Sequence, residues 1–144
     1  MAEGHYAEEV NYWKTSTSSP DTWLDRAKKE IRRVGGLVHG SATIEEDTLG
    51  RGAFALAFEL HGDKFQIKWP ILKSKTDNLN AAKRQAATAL FYDVKAACVK
   101  VKFFGARAAF LPHLQLPNGQ TAAEATNADL LAHLPKMLVA DVGV

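Results

Sequence analysis

At 144 residues and 47% hydrophobic, the chain suits one domain built around one core. Its single cysteine, Cys98, excludes an internal disulfide, and no apolar run nears the ~20 residues of a membrane span. The formal charge of +2 conceals a segregation: residues 1–62 sum to −3, residues 63–107 to +7 and residues 108–144 to −2. A surplus of one sign on one side of a small protein commonly meets a polyanion.

Met1–Val10 is acidic and has no apolar core, so it does not read as a signal peptide, and a cytoplasmic location is expected. Residues 1–19 read as a flexible segment ending in a Ser/Thr run, with residues 20–144 forming a single α+β domain. Ser19-Pro20 is a hydroxyl cap followed by proline, and Trp23, Leu24, Ala27, Ile31 and Val34 keep helical spacing until Gly35-Gly36. The outer face of that helix is basic: Arg26, Lys28, Lys29, Arg32 and Arg33.

Three strands are predicted next. Leu37–Glu46 is the least regular, whereas Ala53–Leu60 alternates, with Phe54, Leu56, Phe58 and Leu60 on one face. After the His61-Gly62-Asp63 turn, Lys64–Trp69 turns Phe65, Ile67 and Trp69 inward and Lys64, Gln66 and Lys68 outward, until Pro70. Such short connections require an antiparallel meander. A long helix is expected from about Asn78 to Phe104, capped by Asp77 or Asn80 and stopped at Gly105. Its apolar stripe, from Leu79 through Leu90 to Phe104, suits packing across the sheet. Phe110–Leu116 reads as a strand or arm, Leu116–Gly119 as a turn, and Thr121–Glu124 as a capping box opening a short helix. Asn127 caps a further predicted helix, Ala128–Leu134.

On the long helix Arg84, Lys95 and Lys102 are eleven and seven residues apart, so they return to within about 20° of one direction. Lys83 stands beside that line. If the outward Lys64 and Lys68 of the third strand adjoined it, the result would be a groove for a phosphate backbone, with Tyr92 or Phe103 stacking on unpaired bases. The alternative for these cations is simple solvation of a helix face, and for the aromatics ordinary packing.

Catalytic signals are weak. Gln66-Ile67-Lys68 matches the end of the (D/E/Q)xK mark of a nuclease superfamily, but the preceding strand offers Ala53, Phe54 and Ala55 where an acidic metal ligand belongs. The five histidines lack metal-ligand spacing. No catalytic residue, metal ligand or cofactor is assigned.

Two resemblances accompany this reading. Phe110–Glu124, with the Leu134-Pro-Lys-Met-Leu138 tail, resembles a family of uncharacterised proteins of phages and mobile elements whose pattern is roughly FLxHIxLPDGRTVGEW. The likeness extends over most of residues 20–140 and departs at Asn118 and at Ala122-Ala123. It implies a mobile-element setting and no defined chemistry. The meander and the helix segment Ala81–Leu90, ending Lys102-Phe-Phe-Gly105, are similar to the core of ring-forming single-strand annealing proteins, in which sheet and helix cations line a groove for single-stranded DNA.

The sequence therefore leads to a non-enzymatic nucleic-acid-binding protein, with DNA as partner and self-assembly compatible with the second resemblance. Its site residues are Lys64, Lys68, Lys83, Arg84, Lys95 and Lys102, with Tyr92 and Phe103. The competing reading is an adaptor or inhibitor that docks on a protein partner through the apolar C-terminal tail or the long helix. A metal-dependent nuclease is third.

Overall fold

The computed structural model describes residues 5–45 and 52–125. Its elements run α1 (Pro20–Arg33), β1 (Leu37–Ile44), β2 (Ala53–Leu60), β3 (Asp63–Pro70), α2 (Leu79–Phe104) and α3 (Ala106–Ala109), with 3-10 turns at Ala7–Glu9 and Leu111–His113. This is the α+β order expected from the sequence.

The first helix forms for local reasons. The Ser19 hydroxyl accepts the Thr22 amide at 3.3 Å and Pro20 fills the first helical position. At the other end Gly35 adopts φ +94°, and the amides of Gly35 and Gly36 return to the carbonyls of Arg32 and Ile31. That double return satisfies carbonyls which the helix itself leaves open. Trp23, Leu24, Ala27 and Ile31 make the buried face.

The sheet has order β1-β2-β3, antiparallel throughout. Strand alternation sends Phe54, Leu56, Phe58 and Leu60 of β2, and Phe65 and Ile67 of β3, into the core. The opposite row pairs Glu59 with Lys64, Ala57 with Gln66 and Ala55 with Lys68. On β1 the register shifts between Val38 and Gly40, so His39 is an extra residue and the strand kinks there.

α2 supplies the other half of the core. Ala82, Ala86, Leu90, Val94, Ala97 and Val101 are buried with the inner row of the sheet, so α2 lies on that side of it. Two members of the expected stripe fall outside: Leu79 is 54% and Phe104 72% exposed, because the helix overruns the sheet at both ends. Its 26 residues span about 39 Å, against about 26 Å for an eight-residue strand. The cap is Asn78, whose side-chain oxygen accepts the Ala81 amide at 3.2 Å, rather than Asp77 or Asn80. Asp77 instead takes φ +56° in the preceding turn.

Beyond Gly105 the Phe110–Leu116 segment, read as a strand or an arm, is an arm rather than a regular strand. The chain turns through α3 and the second 3-10 turn, which lets Phe110 close against Phe58 and Phe65 at centroid distances of 5.0 and 5.7 Å. Only isolated bridges remain of the strand, Phe65 with Leu114 and Gln115 with Thr121. The Thr121–Glu124 capping box is formed: the Thr121 amide donates to Glu124 Oε1 at 2.9 Å and the Glu124 amide to Thr121 Oγ1 at 3.3 Å. The helix expected at Ala128–Leu134 and the apolar tail lie outside the described residues.

Residues 5–19 are tied more firmly than their polar composition implies. The Gln85 amide, on α2, donates to the carbonyls of Ala7, Val10 and Asn11 at 2.8, 3.0 and 3.0 Å. Ala7 is fully buried and its amide reaches the Lys73 carbonyl at 2.8 Å. The Glu8 carboxylate accepts from Ser74 Oγ, the Lys75 amide and Thr76 Oγ1, at 2.7, 2.9 and 3.2 Å. These bonds, led by that from Ser74, lower its pKa to about 2.

Candidate nucleic-acid interface

The groove expected between β3 and α2 does not form. Lys64 and Lys68 stand on the outward row of the sheet, while α2 covers the inward row. The strand cations and the helix cations therefore face opposite sides of the molecule. Lys68 is also engaged: its Nζ lies 3.1 Å from Glu124 Oε2 and 3.3 Å from Oε1. The Thr121 amide and Lys68 together hold the Glu124 carboxyl below its ordinary range.

The +7 segment is further thinned by ion pairs. Arg107 donates twice to Asp63, Nε to Oδ2 at 3.0 Å and Nη2 to Oδ1 at 2.8 Å. That fork lowers the Asp63 pKa and raises that of Arg107. Lys75 lies 3.4 Å from Glu9. Positive charge along residues 63–107 is thus not one continuous face.

Of the Arg84, Lys95 and Lys102 line on α2, Lys95 and Lys102 are exposed, and the structure adds a neighbour to them. α1 and α2 lie side by side, with Trp23 against Phe91 at a centroid distance of 5.3 Å. Over these joined rings stand two cations. The Arg26 guanidinium lies 4.6 Å from the Trp23 ring and Lys95 Nζ 5.9 Å from that of Phe91. Lys102 follows two turns beyond Lys95, close enough for its charge to act on Cys98. Among the described residues no ion pair forms to Arg26, Lys95 or Lys102. Arg33 pairs with Glu30.

The remaining expected residues separate into different roles. Arg84 is half-buried, and its Nε is out of contact with solvent without a hydrogen-bond partner. Lys83, also half-buried, is turned about 100° from that line by helix geometry. Tyr92 is 43% exposed, but its ring is stacked on Tyr12 at 5.4 Å and touches Trp23 at 5.9 Å. Phe103 is the open aromatic, 78% exposed, with Phe104 beside it at 6.4 Å.

Arg26 belongs to the basic face that the sequence shows on α1, and the Trp23-x-x-Arg26 spacing is compatible with the cation lying over the ring. Which part of α2 that ring lies against depends on how the two helices dock, for which the linear pattern holds no signal. The burial that joins the helices also silences Cys98, whose thiol pKa is pushed up to about 11.

For metal chemistry, no group of three or more His, Cys, Asp or Glu side chains that could hold an ion occurs among the described residues. Gln66 and Lys68 face Ala57 and Ala55 across the strand pair, and Glu59 is hydrogen-bonded to His39 Nε2 at 2.8 Å. No described helix is long and apolar enough to cross a membrane. Comparison with known proteins found no matching family model, no matching curated protein and no matching solved structure.

Proposed function

We propose that the protein binds nucleic acid, preferentially single-stranded DNA, through the outer face of the α1–α2 pair. The observation that carries this reading is the placement of Arg26 and Lys95 over adjoining rings, with Lys102 two turns beyond Lys95 on the same line of α2. The three cations supply phosphate contacts, which give affinity without sequence preference. Phe103, about 100° round α2 from Lys102, offers an open ring at the rim of this face on which an unpaired base stacks, an interaction worth about 1–3 kcal/mol per base. The role is binding rather than catalysis, in the phage or mobile-element setting and strand annealing that the sequence resemblances imply.

Fluorescence anisotropy with labelled single- and double-stranded oligonucleotides, titrated from 50 to 300 mM salt, tests the reading. Micromolar or tighter binding with a steep salt slope supports it, and Phe103→Ala should weaken the single-stranded complex at least fivefold. Absence of binding at 50 mM salt refutes it.

One observation favours a second reading, a protein-binding adaptor. Tyr92, Ala96, Val99 and Phe103 follow a four-three-four spacing, so they form one apolar stripe on the exposed half of α2. Lys95, Lys100 and Lys102 border that stripe, which suits an acidic amphipathic helix. A partner of that kind would be displaced by salt but not by oligonucleotide.

A further inference from the structure

A cleft follows the seam where β3, α2 and the N-terminal segment meet. Phe65 and Ile67 on the inward row of β3 are fully buried, but Trp69 is only half-buried, because α2 sets Ala86 and Ala89 beside it. Ala86, Ala89, Asp93 and Ala96 follow at steps of three, four and three residues, so they share one flank of that helix. The space has two lobes that join at Trp69 and Ala89. The narrower, of about 320 Å³, lies between Trp69, Leu72 and Ala86 and is almost wholly apolar. The wider, of about 670 Å³, opens past Tyr12 and Tyr92 toward Glu9 and Asp93. Volumes of this order accept a small organic molecule.

The facing wall is held in place from below, since the Gln85 amide binds the Ala7, Val10 and Asn11 carbonyls. Tyr12 takes φ +72°, a region that residues with side chains seldom enter, and its ring lies nearly parallel to that of Tyr92, with 14° between the planes. Charge narrows the chemistry of the occupant. Among the described residues that line the cleft there is no Lys or Arg, but there are two carboxylates, Glu9 and Asp93. Glu9 is shared with Lys75 at 3.4 Å and His5 at 3.8 Å. Asp93 forms no ion pair among the described residues. Its charge reaches His113, but burial lowers the pKa of that imidazole, so no competing cation arises there at neutral pH. An anion would be repelled by Asp93, and a neutral molecule would leave it unused. A cation gains both the carboxylate and the aromatic rings beside it.

We propose that this cleft binds a small organic cation with an apolar body, a hydrophobic amine or quaternary ammonium. The charged head lies in the wider lobe beside Asp93, Trp69 and Tyr92, and the apolar body fills the lobe between Trp69, Leu72 and Ala86. The site is independent of nucleic-acid binding, because Arg26, Lys95, Lys102 and Phe103 do not line it.

Isothermal titration calorimetry on the full-length chain tests it, with octyltrimethylammonium as the probe and 1-octanol and octanoate as its neutral and anionic counterparts. The cation should bind one-to-one with a Kd of about 100 μM or tighter. The two counterparts, which carry the same alkyl chain, should bind at least tenfold more weakly. Asp93→Asn should weaken the cation at least fivefold. Asp93 is exposed, so this change leaves the core untouched, and circular dichroism verifies the fold. Ala89→Phe, which fills the junction of the lobes, should abolish binding, and Asp93→Asn decides the matter by itself if that variant does not fold. No binding of the cation up to about 2 mM, equal affinity for the three probes, or an unchanged affinity in Asp93→Asn overturns the proposal.

Discussion

Single side chains hold the N-terminal segment in place. The two hydrogens of the Gln85 amide are shared among three backbone carbonyls, the bond to Ala7 being buried and those to Val10 and Asn11 part-buried. Gln85→Leu strands those acceptors, and loss of a buried hydrogen-bond partner costs about 1–3 kcal/mol. Urea unfolding should register that loss, with residues 7–11 losing hydrogen-exchange protection first. Glu8 makes a pH prediction. Its folded pKa of about 2 lies below the ordinary 4.5, so its stabilising contribution is complete above about pH 4.5 and is lost as pH falls toward 2. A denaturation series across that window should slope downward with acid, and Glu8→Gln should flatten the slope. Neither role was legible in the sequence. Docking through backbone carbonyls leaves no side-chain pattern, so a Ser/Thr-ended segment reads as unattached.

At the level of elements, period and caps were informative. Ser19-Pro20, the alternation in β2 and β3 and the stop at Gly105 each act within a few residues, so the local sequence suffices to place them. Of the two readings of Phe110–Leu116, strand or arm, the structure takes the arm, because Phe110 is drawn into the Phe58–Phe65 cluster, a tertiary contact that overrides its strand-like pattern. Two substitutions probe the element contacts. Leu90→Ala removes a fully buried side chain from the helix–sheet seam and should cost about 2–5 kcal/mol in chemical denaturation. Gly36→Ala drives a methyl against the Ile31 side chain and its carbonyl, where α1 turns into β1. A loss of about 1–3 kcal/mol is expected for such overpacking.

For the whole molecule, the decisive fact is that strand and helix cations face apart. Summing charge along the chain treated residues 63–107 as one surface, whereas the two-residue period of β3 sends Lys64 and Lys68 away from whatever covers Phe65 and Ile67. That divergence was implicit in the alternation itself. The seating of Trp23, with Arg26 over it, against Phe91 was not, since it depends on the docking of two helices. A charge-reversal comparison separates the two sides. Lys95→Glu with Lys102→Glu should reduce oligonucleotide affinity at least tenfold at 100 mM salt, while Lys64→Glu leaves it within twofold. Replacing Lys95 and Lys102 by alanine should lower the salt slope for single strands by about 0.7 per lysine.

The kink at His39 has a consequence for behaviour in concentrated solution. The far border of β3 is already engaged by Gln115, so β1 supplies the sheet's other rail of backbone donors and acceptors. A straight rail would template another strand, but the irregular step between Val38 and Gly40 throws the spacing out of phase after two residues. Deleting His39 would restore an even ladder, and the resulting protein should form fibrils at concentrations where the parent stays clear, as followed by thioflavin fluorescence.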